Sequence, residues 1–237
     1  MALGNIDLDK SSFLVLSDVH ADPRSLRAVL KAAWDPAWFR YRCFLGDAIG
    51  YGDDPAGALN ILKDFDVCIK GNHEMLALGQ VSASWYSENA RETILDHTRK
   101  LSVAHRNLIS KFVDNLASGK VILVHGVPDS PLDYIFNDVD ARVVFEQYPQ
   151  YDLFIGGHLH IPRMAIYHKE THEIDFAEIS LPYCRFDLDF REHQYLITCP
   201  STTPGRFGAA LPGCCRVIHK SEDEKELEFI FVRQELG

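Results

Sequence analysis

Side chains able to bind a metal ion follow five apolar segments of this 237-residue chain, each at the point where the segment ends. They comprise two carboxylates, four imidazoles and one amide, at Asp18, His20, Asp47, Asn72, His125, His158 and His160. A mixed nitrogen and oxygen set suits Mn²⁺, Fe or Zn²⁺ rather than a thiolate-bound structural zinc. Seven ligands exceed the four that a tetrahedral zinc needs, and they suit two ions that share a bridging carboxylate. The sequence therefore predicts a two-metal centre.

The segments that must position these residues are typical of buried strands in an α/β fold. Two Asp-Pro pairs, Asp22-Pro23 and Asp54-Pro55, predict helix starts between strands. In open α/β sheets, ligand sites form just beyond the carboxyl ends of strands, so we expect the five segment ends to meet in one crevice. The predicted strands are Phe13–Leu16, Cys43–Leu45, Val67–Ile69, Val121–Val124 and Leu153–Ile155.

The remaining sequence predicts a helical region and a set of antiparallel strands. Apolar residues at three- to four-residue steps predict helices from Trp85 to Leu116, with Ser102 capping a second helix. The region at about 80–118 is interpreted as a helical cover on the core, with a substrate lid as the alternative. After Met164, apolar and polar residues alternate, as in half-buried antiparallel strands. No linker-like stretch is present, which favours a single domain over residues 1–237.

The motifs Asp-x-His, Gly-Asp, Gly-Asn-His-Glu, His and Gly-His-x-His, in this order, resemble those of the calcineurin-like metallophosphoesterases. The resemblance extends from about Phe13 to Pro162. The segment Gly46 to Gly52 is most similar to a compact bacterial and archaeal phosphodiesterase-like branch, related to diadenosine tetraphosphatase. The resemblance implies an α/β sandwich in which two mixed β-sheets lie face to face, flanked by helices.

The same resemblance implies a role for each candidate residue. One metal ion would be held by Asp18, His20, Asp47 and His160, and the other by Asp47, Asn72, His125 and His158. Asp47 would bridge the two ions, and His73 would act from outside the metal ligands on the phosphate or the leaving oxygen. The expected cofactors are two divalent ions, Mn²⁺ or Fe, with Zn²⁺, Ni²⁺ and Co²⁺ as alternatives.

The sequence departs from the protein Ser/Thr phosphatases of this superfamily. Those enzymes extend the second motif as Gly-Asp-x-x-Asp-Arg-Gly, whereas Gly50 and Tyr51 occupy the Asp and Arg places here. The residue that supports His73 is therefore left open. Arg206 follows a segment that resembles an Asn-Pro-Gly-Ser turn of relatives, and it is either a phosphate contact or a surface arginine.

The predicted activity is hydrolysis of a small phosphate ester, a phosphodiester or a nucleotide. A hydroxide that bridges the two ions would attack phosphorus, and His73 would protonate the leaving group as the catalytic acid. The alternatives are a phosphomonoesterase, a protein Ser/Thr phosphatase-like activity, or a non-catalytic interaction module of the same fold.

Glu74 is expected only to cap or pair locally, and His97 is assigned no role.

Composition limits the partners. The net charge of −10 opposes binding to long nucleic acids or anionic membranes, but bound divalent ions can make one pocket locally positive for a small phosphate. No apolar run is long enough for a transmembrane helix, and the six scattered cysteines indicate reduced thiols, so we expect a cytoplasmic protein without membrane partners. The oligomeric state is left open.

Overall fold

Two six-stranded β-sheets form the framework of the computed structural model, which describes residues 6–130, 132–134, 137–203 and 211–233. The strand order of the first sheet is β3 (Val67–Cys68), β2 (Tyr41–Phe44), β1 (Phe13–Leu16), β11 (Gly213–His219), β12 (Glu224–Phe231) and β9 (Tyr183–Asp189). The strand order of the second is β4 (Leu116–Ser118), β5 (Val121–Leu123), β6 (Leu153–Gly156), β10 (His193–Thr198), β7 (Arg163–His168) and β8 (Ile174–Phe176).

Both sheets are mixed, and each contains three neighbouring parallel strands. In the first sheet β2 pairs in parallel with β1 and with β3. In the second sheet β6 pairs in parallel with β5 and with β10. The other strand pairs are antiparallel, which confirms the antiparallel strands predicted after Met164.

The sheets lie face to face because each contributes an apolar face to one shared core. Phe13 and Val15 of β1 pack there with Leu123 of β5 and Ile155 of β6, and all four side chains are fully buried. Their burial removes apolar surface from water, which is the main stabilising contribution to such a core. The predicted sandwich of two mixed sheets is confirmed.

Helices cover the outer faces of both sheets in the described part of the chain. Those on the first sheet include α1 (Pro23–Ala33), α2 (Pro55–Leu62), α3 (Asn72–Ala77), α4 (Glu88–Lys100) and α5 (Val103–Ile109). The second sheet is covered by α6 (Asp138–Gln147). As predicted, Asp22 and Asp54 accept the first-turn N–H groups of α1 and α2, and each helix starts with proline. None of the helices described is both long and apolar enough to cross a membrane.

The helical prediction from Trp85 to Leu116 extends too far. Ser102 caps α5 as predicted, but α5 ends at Ile109 and Leu116 begins β4. Leu116 pairs with Leu123 across an antiparallel ladder, so its apolar side chain belongs to the sheet rather than to a helix face. Trp85 lies in a short 3₁₀ turn, Ala83–Trp85. Strand β4 and helix α6 were not predicted.

Candidate metal centre

Two groups of buried ligand atoms meet beyond the carboxyl ends of the parallel strands. The first group contains Asp18, His20, Asp47 and His160, whose ligand atoms all lie within 4.8 Å of one another. The second contains Asp47, His125 and His158 within the same limit. Asp47 belongs to both groups, so its carboxylate lies between the two candidate ion positions.

Short distances between lone-pair-bearing atoms define the first group. Nε2 of His20 lies 3.0 Å from Nε2 of His160, which lies 3.2 Å from Oδ1 of Asp18. Oδ1 of Asp18 is buried and has no hydrogen-bond partner in the described structure. Burying a carboxylate oxygen without a partner costs free energy, and a bound cation would satisfy it.

The amide of Asn72 belongs beside the second group. Its side-chain oxygen lies 3.0 Å from Nε2 of His125 and close to Nδ1 of His158 and the carboxylate of Asp47. With the amide turned over, its NH₂ would donate to the same atoms. With the oxygen inward, the group presents lone pairs alone, which is the arrangement that suits a cation.

Main-chain carbonyls orient the imidazole rings toward the centre. Each carbonyl lies within hydrogen-bond distance of one ring nitrogen and can accept its N–H, which leaves the other nitrogen with a lone pair. Such outer contacts fix the tautomer of metal-binding histidines. The nitrogen–oxygen pairs are His125 Nδ1 with Leu45 (2.7 Å), His73 Nδ1 with Ile49 (2.7 Å), His20 Nδ1 with Ile49 (3.3 Å) and His158 Nε2 with Leu132 (3.3 Å).

Electrostatics keeps most of these groups in the protonation state that binds metal. Although burial opposes the charge of Asp18 and Asp47, the neighbouring histidines hold the pKa of both carboxyls below the usual range. Burial, followed by the charge of His125, lowers the pKa of His158 to about 3. His125 differs, because the carboxylates beside it outweigh burial and raise its pKa to about 9. A metal ion at that position competes with this proton.

The backbone at the centre is strained in a way that orients the ligands. Asp18, His20, Asp47, His158 and His160 have φ angles of 55°, 47°, 62°, 65° and 64°, in the left-handed region that non-glycine residues rarely adopt. Each such residue costs of order 1–3 kcal/mol, and conformations of this kind concentrate at functional sites. The strain falls on five of the seven predicted ligands.

His73 lies beside both ligand groups but belongs to neither. Its main-chain N–H donates to Oδ1 of Asp47 at 2.9 Å, and its ring Nε2 lies 3.6 Å from Oδ2 of the same carboxylate. The support that the sequence left open is the carbonyl of Ile49 on Nδ1. Gly50 makes this contact possible, because at φ +91° a Cβ there would lie 2.3 Å from Nδ1 of His73.

Glu74 holds the loop that carries Asp47, a role that sequence reasoning missed. Its fully buried carboxylate accepts the N–H groups of Asp47 at 2.8 Å, Ala48 at 2.9 Å and Gly71 at 2.9 Å. Burial and the Asp47 carboxylate raise the pKa of Glu74 to about 7. The contact with Gly71 is the local cap that the sequence predicts, whereas the contacts with Asp47 and Ala48 join residues 27 and 26 apart in the chain.

His97 of α4 is a second missed residue. It is buried, and its Nδ1 accepts the N–H of Gly50 at 3.0 Å, which links the helix to the loop beneath His73. Nothing in the local sequence around His97 indicates this contact, because 47 residues separate the partners.

Arg206, for which the sequence left open a phosphate contact or a surface position, lies outside the described residues.

Comparisons with known proteins identify the family and the fold of this chain. The sequence pattern of the calcineurin-like phosphoesterase family matches residues 11–162. The uncharacterised protein MJ0912 of Methanocaldococcus jannaschii is 29% identical over 237 residues, covering 95% of this chain and 88% of that protein. The crystal structure of a metallophosphoesterase from Sphaerobacter thermophilus is 22% identical, with a TM-score of 0.77 over 95% of this chain and 89% of that one. A protein provisionally identified as a diadenosine tetraphosphatase is 13% identical, with a TM-score of 0.54 over 98% and 97%.

The two-sheet fold is that of the metallophosphoesterases, and its buried Asp and His groups could hold metal ions. With the pattern match over residues 11–162, the chain belongs to the calcineurin-like phosphoesterase family. This family comprises phosphoester hydrolases together with members that have lost catalysis. The unsatisfied Asp18 oxygen, the oriented imidazoles and the shared Asp47 carboxylate fit divalent cations.

Proposed function

We propose that the chain is a dinuclear-metal-dependent phosphoesterase that hydrolyses a small phosphodiester or nucleotide. The observation that carries this proposal is the Asp47 carboxylate, which belongs to both buried ligand groups. A non-catalytic module would not need to retain seven candidate ligands, five of them in strained backbone conformations. We further propose that residues 1–237 act as one metallophosphoesterase domain, in which the helical cover comprises α4 (Glu88–Lys100) and α5 (Val103–Ile109) and does not extend to residue 118.

The proposed ligands divide between two positions. Asp18, His20, Asp47 and His160 would hold one ion, and Asp47, Asn72, His125 and His158 the other, with Mn²⁺ or Fe preferred by this nitrogen and oxygen set. The chemistry that the two cations supply when bound is positive charge on the phosphoryl oxygens and activation of water.

The side chain of His73 is proposed to handle the proton of the leaving group. The carbonyl of Ile49 accepts the Nδ1 proton, which directs Nε2 toward the carboxylate of Asp47 and into the cavity above it. When both ring nitrogens carry a proton, the Nδ1 proton stays hydrogen-bonded to the Ile49 carbonyl and Nε2 can donate its own proton to a departing alkoxide, a contribution of roughly 10²- to 10⁴-fold to the rate. The surrounding carboxylates and imidazoles are buried, so little water surrounds them. Electrostatic interactions with a phosphoryl group are stronger in such an environment.

Removing the shared carboxylate tests the proposal. We expect Asp47→Asn to lower the metal content, measured by mass spectrometry after Mn²⁺ loading, from about two ions per chain to one or none, and to abolish ester hydrolysis. Asp53→Asn is the matched control, because Asp53 is exposed in the loop that follows. Full metal content and full turnover in Asp47→Asn would contradict the proposal.

The substrate class is separated by a paired assay. With added Mn²⁺, the diesterase predicts faster turnover of bis-p-nitrophenyl phosphate than of p-nitrophenyl phosphate. The phosphomonoesterase alternative predicts the reverse order, and the Ser/Thr phosphatase-like alternative adds turnover of a phosphoserine peptide. Absence of turnover on all three substrates, together with absence of bound metal, would favour the non-catalytic module.

A further inference from the structure

A cavity of about 450 Å³ opens at the candidate metal centre. Asp47, His158 and His160 reach it from the ligand groups, and Trp85 and Tyr134 line it as well. Volumes between about 300 and 1,000 Å³ accommodate whole small-molecule ligands. A phosphoryl group fills only a small part of such a space, so the cavity has room for a further part of the substrate.

Trp85 presents a large aromatic surface at this cavity. The residue is 65% exposed, although it belongs to the 3₁₀ turn Ala83–Trp85, whose N-cap residue Ser82 accepts the N–H of Ser84. An exposed tryptophan leaves apolar area in water, and indole rings in such positions commonly serve as contact surfaces for a partner. Its position at the cavity indicates that the partner is the ligand.

Tyr134 provides a second aromatic surface and connects it to the metal centre. Its ring stacks on the imidazole of His158, with 3.9 Å between ring centroids and 14° between the planes. The residue remains 41% exposed. Stacking on a buried histidine restricts the tyrosine ring, so a planar ligand group meets a surface that is already oriented.

The polar groups at the cavity indicate which kind of planar group it accepts. Among the described lining residues there is no lysine or arginine. The part of the ligand beyond the phosphate would therefore meet no Lys or Arg side chain that could pair with a further negative charge. Asp133 and Ser130 instead offer oxygen acceptors. An uncharged aromatic ring with N–H donors matches these residues, and a nucleobase with an exocyclic amino group is such a ring.

We propose that Trp85 and Tyr134 form a nucleobase subsite beside the metal centre, so that the substrate is a nucleotide or a nucleotide ester. This inference rests on the proposed phosphoesterase function and narrows its substrate class. The phosphate would lie over the ligand groups, and the base would stack against the aromatic residues.

Binding of two matched probes tests the subsite. A non-hydrolysable phosphonate analogue of AMP and the corresponding analogue of ribose 5-phosphate differ only in the base. In calorimetric titrations of the Mn²⁺-loaded chain, we expect the AMP analogue to bind roughly 5- to 150-fold more tightly, the range that stacking of one base supplies. Trp85→Ala should remove most of this preference without changing the affinity for the ribose analogue, whereas Trp85→Phe should retain it.

Trp38→Ala is the matched control, since Trp38 is 75% exposed and lines a different cavity. Equal affinity for the two probes in the wild-type chain, or an unchanged preference in Trp85→Ala, would overturn the subsite. Hydrolysis of bis-p-nitrophenyl phosphate, followed in parallel, separates the two proposals. Turnover without base preference contradicts only the subsite, and base preference without turnover of any ester contradicts only the phosphoesterase function.

Discussion

Glu74 offers a direct test of how the loop carrying Asp47 is held in place. One carboxylate oxygen accepts the N–H groups of Asp47 and Gly71, and the other accepts that of Ala48. After the Glu74→Gln substitution, the remaining oxygen can still accept the N–H groups of Asp47 and Gly71. The new amide NH₂ then faces the N–H of Ala48. Neither of these two donors has an acceptor, and the position is fully buried.

The expected cost follows from these contacts. A buried donor left without an acceptor costs about 1–3 kcal/mol, so Glu74→Gln should lower the free energy of unfolding by at least about 1–3 kcal/mol. For a chain of this size, each kcal/mol corresponds to roughly 2–4 °C in Tm. The displaced loop should also weaken Mn²⁺ binding, because Asp47 belongs to both ligand groups.

Urea unfolding of the metal-free chain and calorimetric Mn²⁺ titration measure the two effects separately. Glu92→Gln is the matched control, since Glu92 is exposed on α4. If the free energy of unfolding of Glu74→Gln lies within about 0.5 kcal/mol of the wild-type value and Mn²⁺ binds equally well, Glu74 does not hold the loop.

Three further predictions concern His73, His97 and Cys43. We expect His73→Ala to keep its metal but to lose turnover most on esters with poor leaving groups, because the lost proton matters most there; the measurement is the dependence of rate on leaving-group pKa. His97→Leu leaves the N–H of Gly50 without its acceptor and should lower both stability, by about 1–3 kcal/mol, and turnover, whereas His97→Asn, which can accept the same N–H, should restore both. Burial and nearby charges raise the pKa of the Cys43 thiol, so the unfolded chain releases this proton first as pH rises and stability falls above about pH 8.5. Replacing Cys43 with Val should reduce the loss between about pH 8 and 9.5 by about 1 kcal/mol in urea unfolding under reducing conditions.

Each of these predictions has an outcome that contradicts it. For His73 it is a leaving-group dependence equal to that of the wild-type chain, with His105→Ala as the control. For His97 it is an Asn variant no better than the Leu variant. For Cys43 it is an unchanged pH dependence of unfolding, because the thiol would then ionise equally in the folded and unfolded states.

The strands and their polar ends were predictable because both signals are local. Phe13–Leu16 is a continuous apolar run that ends just before Asp18, and a buried parallel strand requires such a run. The convergence of Asp18 with Asp47 follows from the general rule that ligand sites form at strand ends in α/β sheets, and it does not require the order of the strands to be known. Helix starts at Asp22 and Asp54 were predictable for the same reason, since the capping side chain and the proline are adjacent.

Contacts between distant residues were not predictable. The bond between Gly50 and His97 joins residues 47 apart, and the apolar period around Leu116 fits a helix equally well until its partner in β5 is known. The stacking of Tyr134 on His158 depends in the same way on where two loops meet.

Helix α6 did carry a usable signal, an Asn137 cap followed by apolar residues at helical spacing.

The dinuclear centre is best tested by a Mn²⁺ titration of the metal-free chain, with hydrolysis of bis-p-nitrophenyl phosphate followed at each addition. Two ligand groups that share Asp47 predict a rate that rises until about two equivalents per chain are bound and then stays constant. A rate that reaches its maximum at one equivalent would contradict the dinuclear centre. Absence of hydrolysis at every ratio would contradict the proposed diesterase activity.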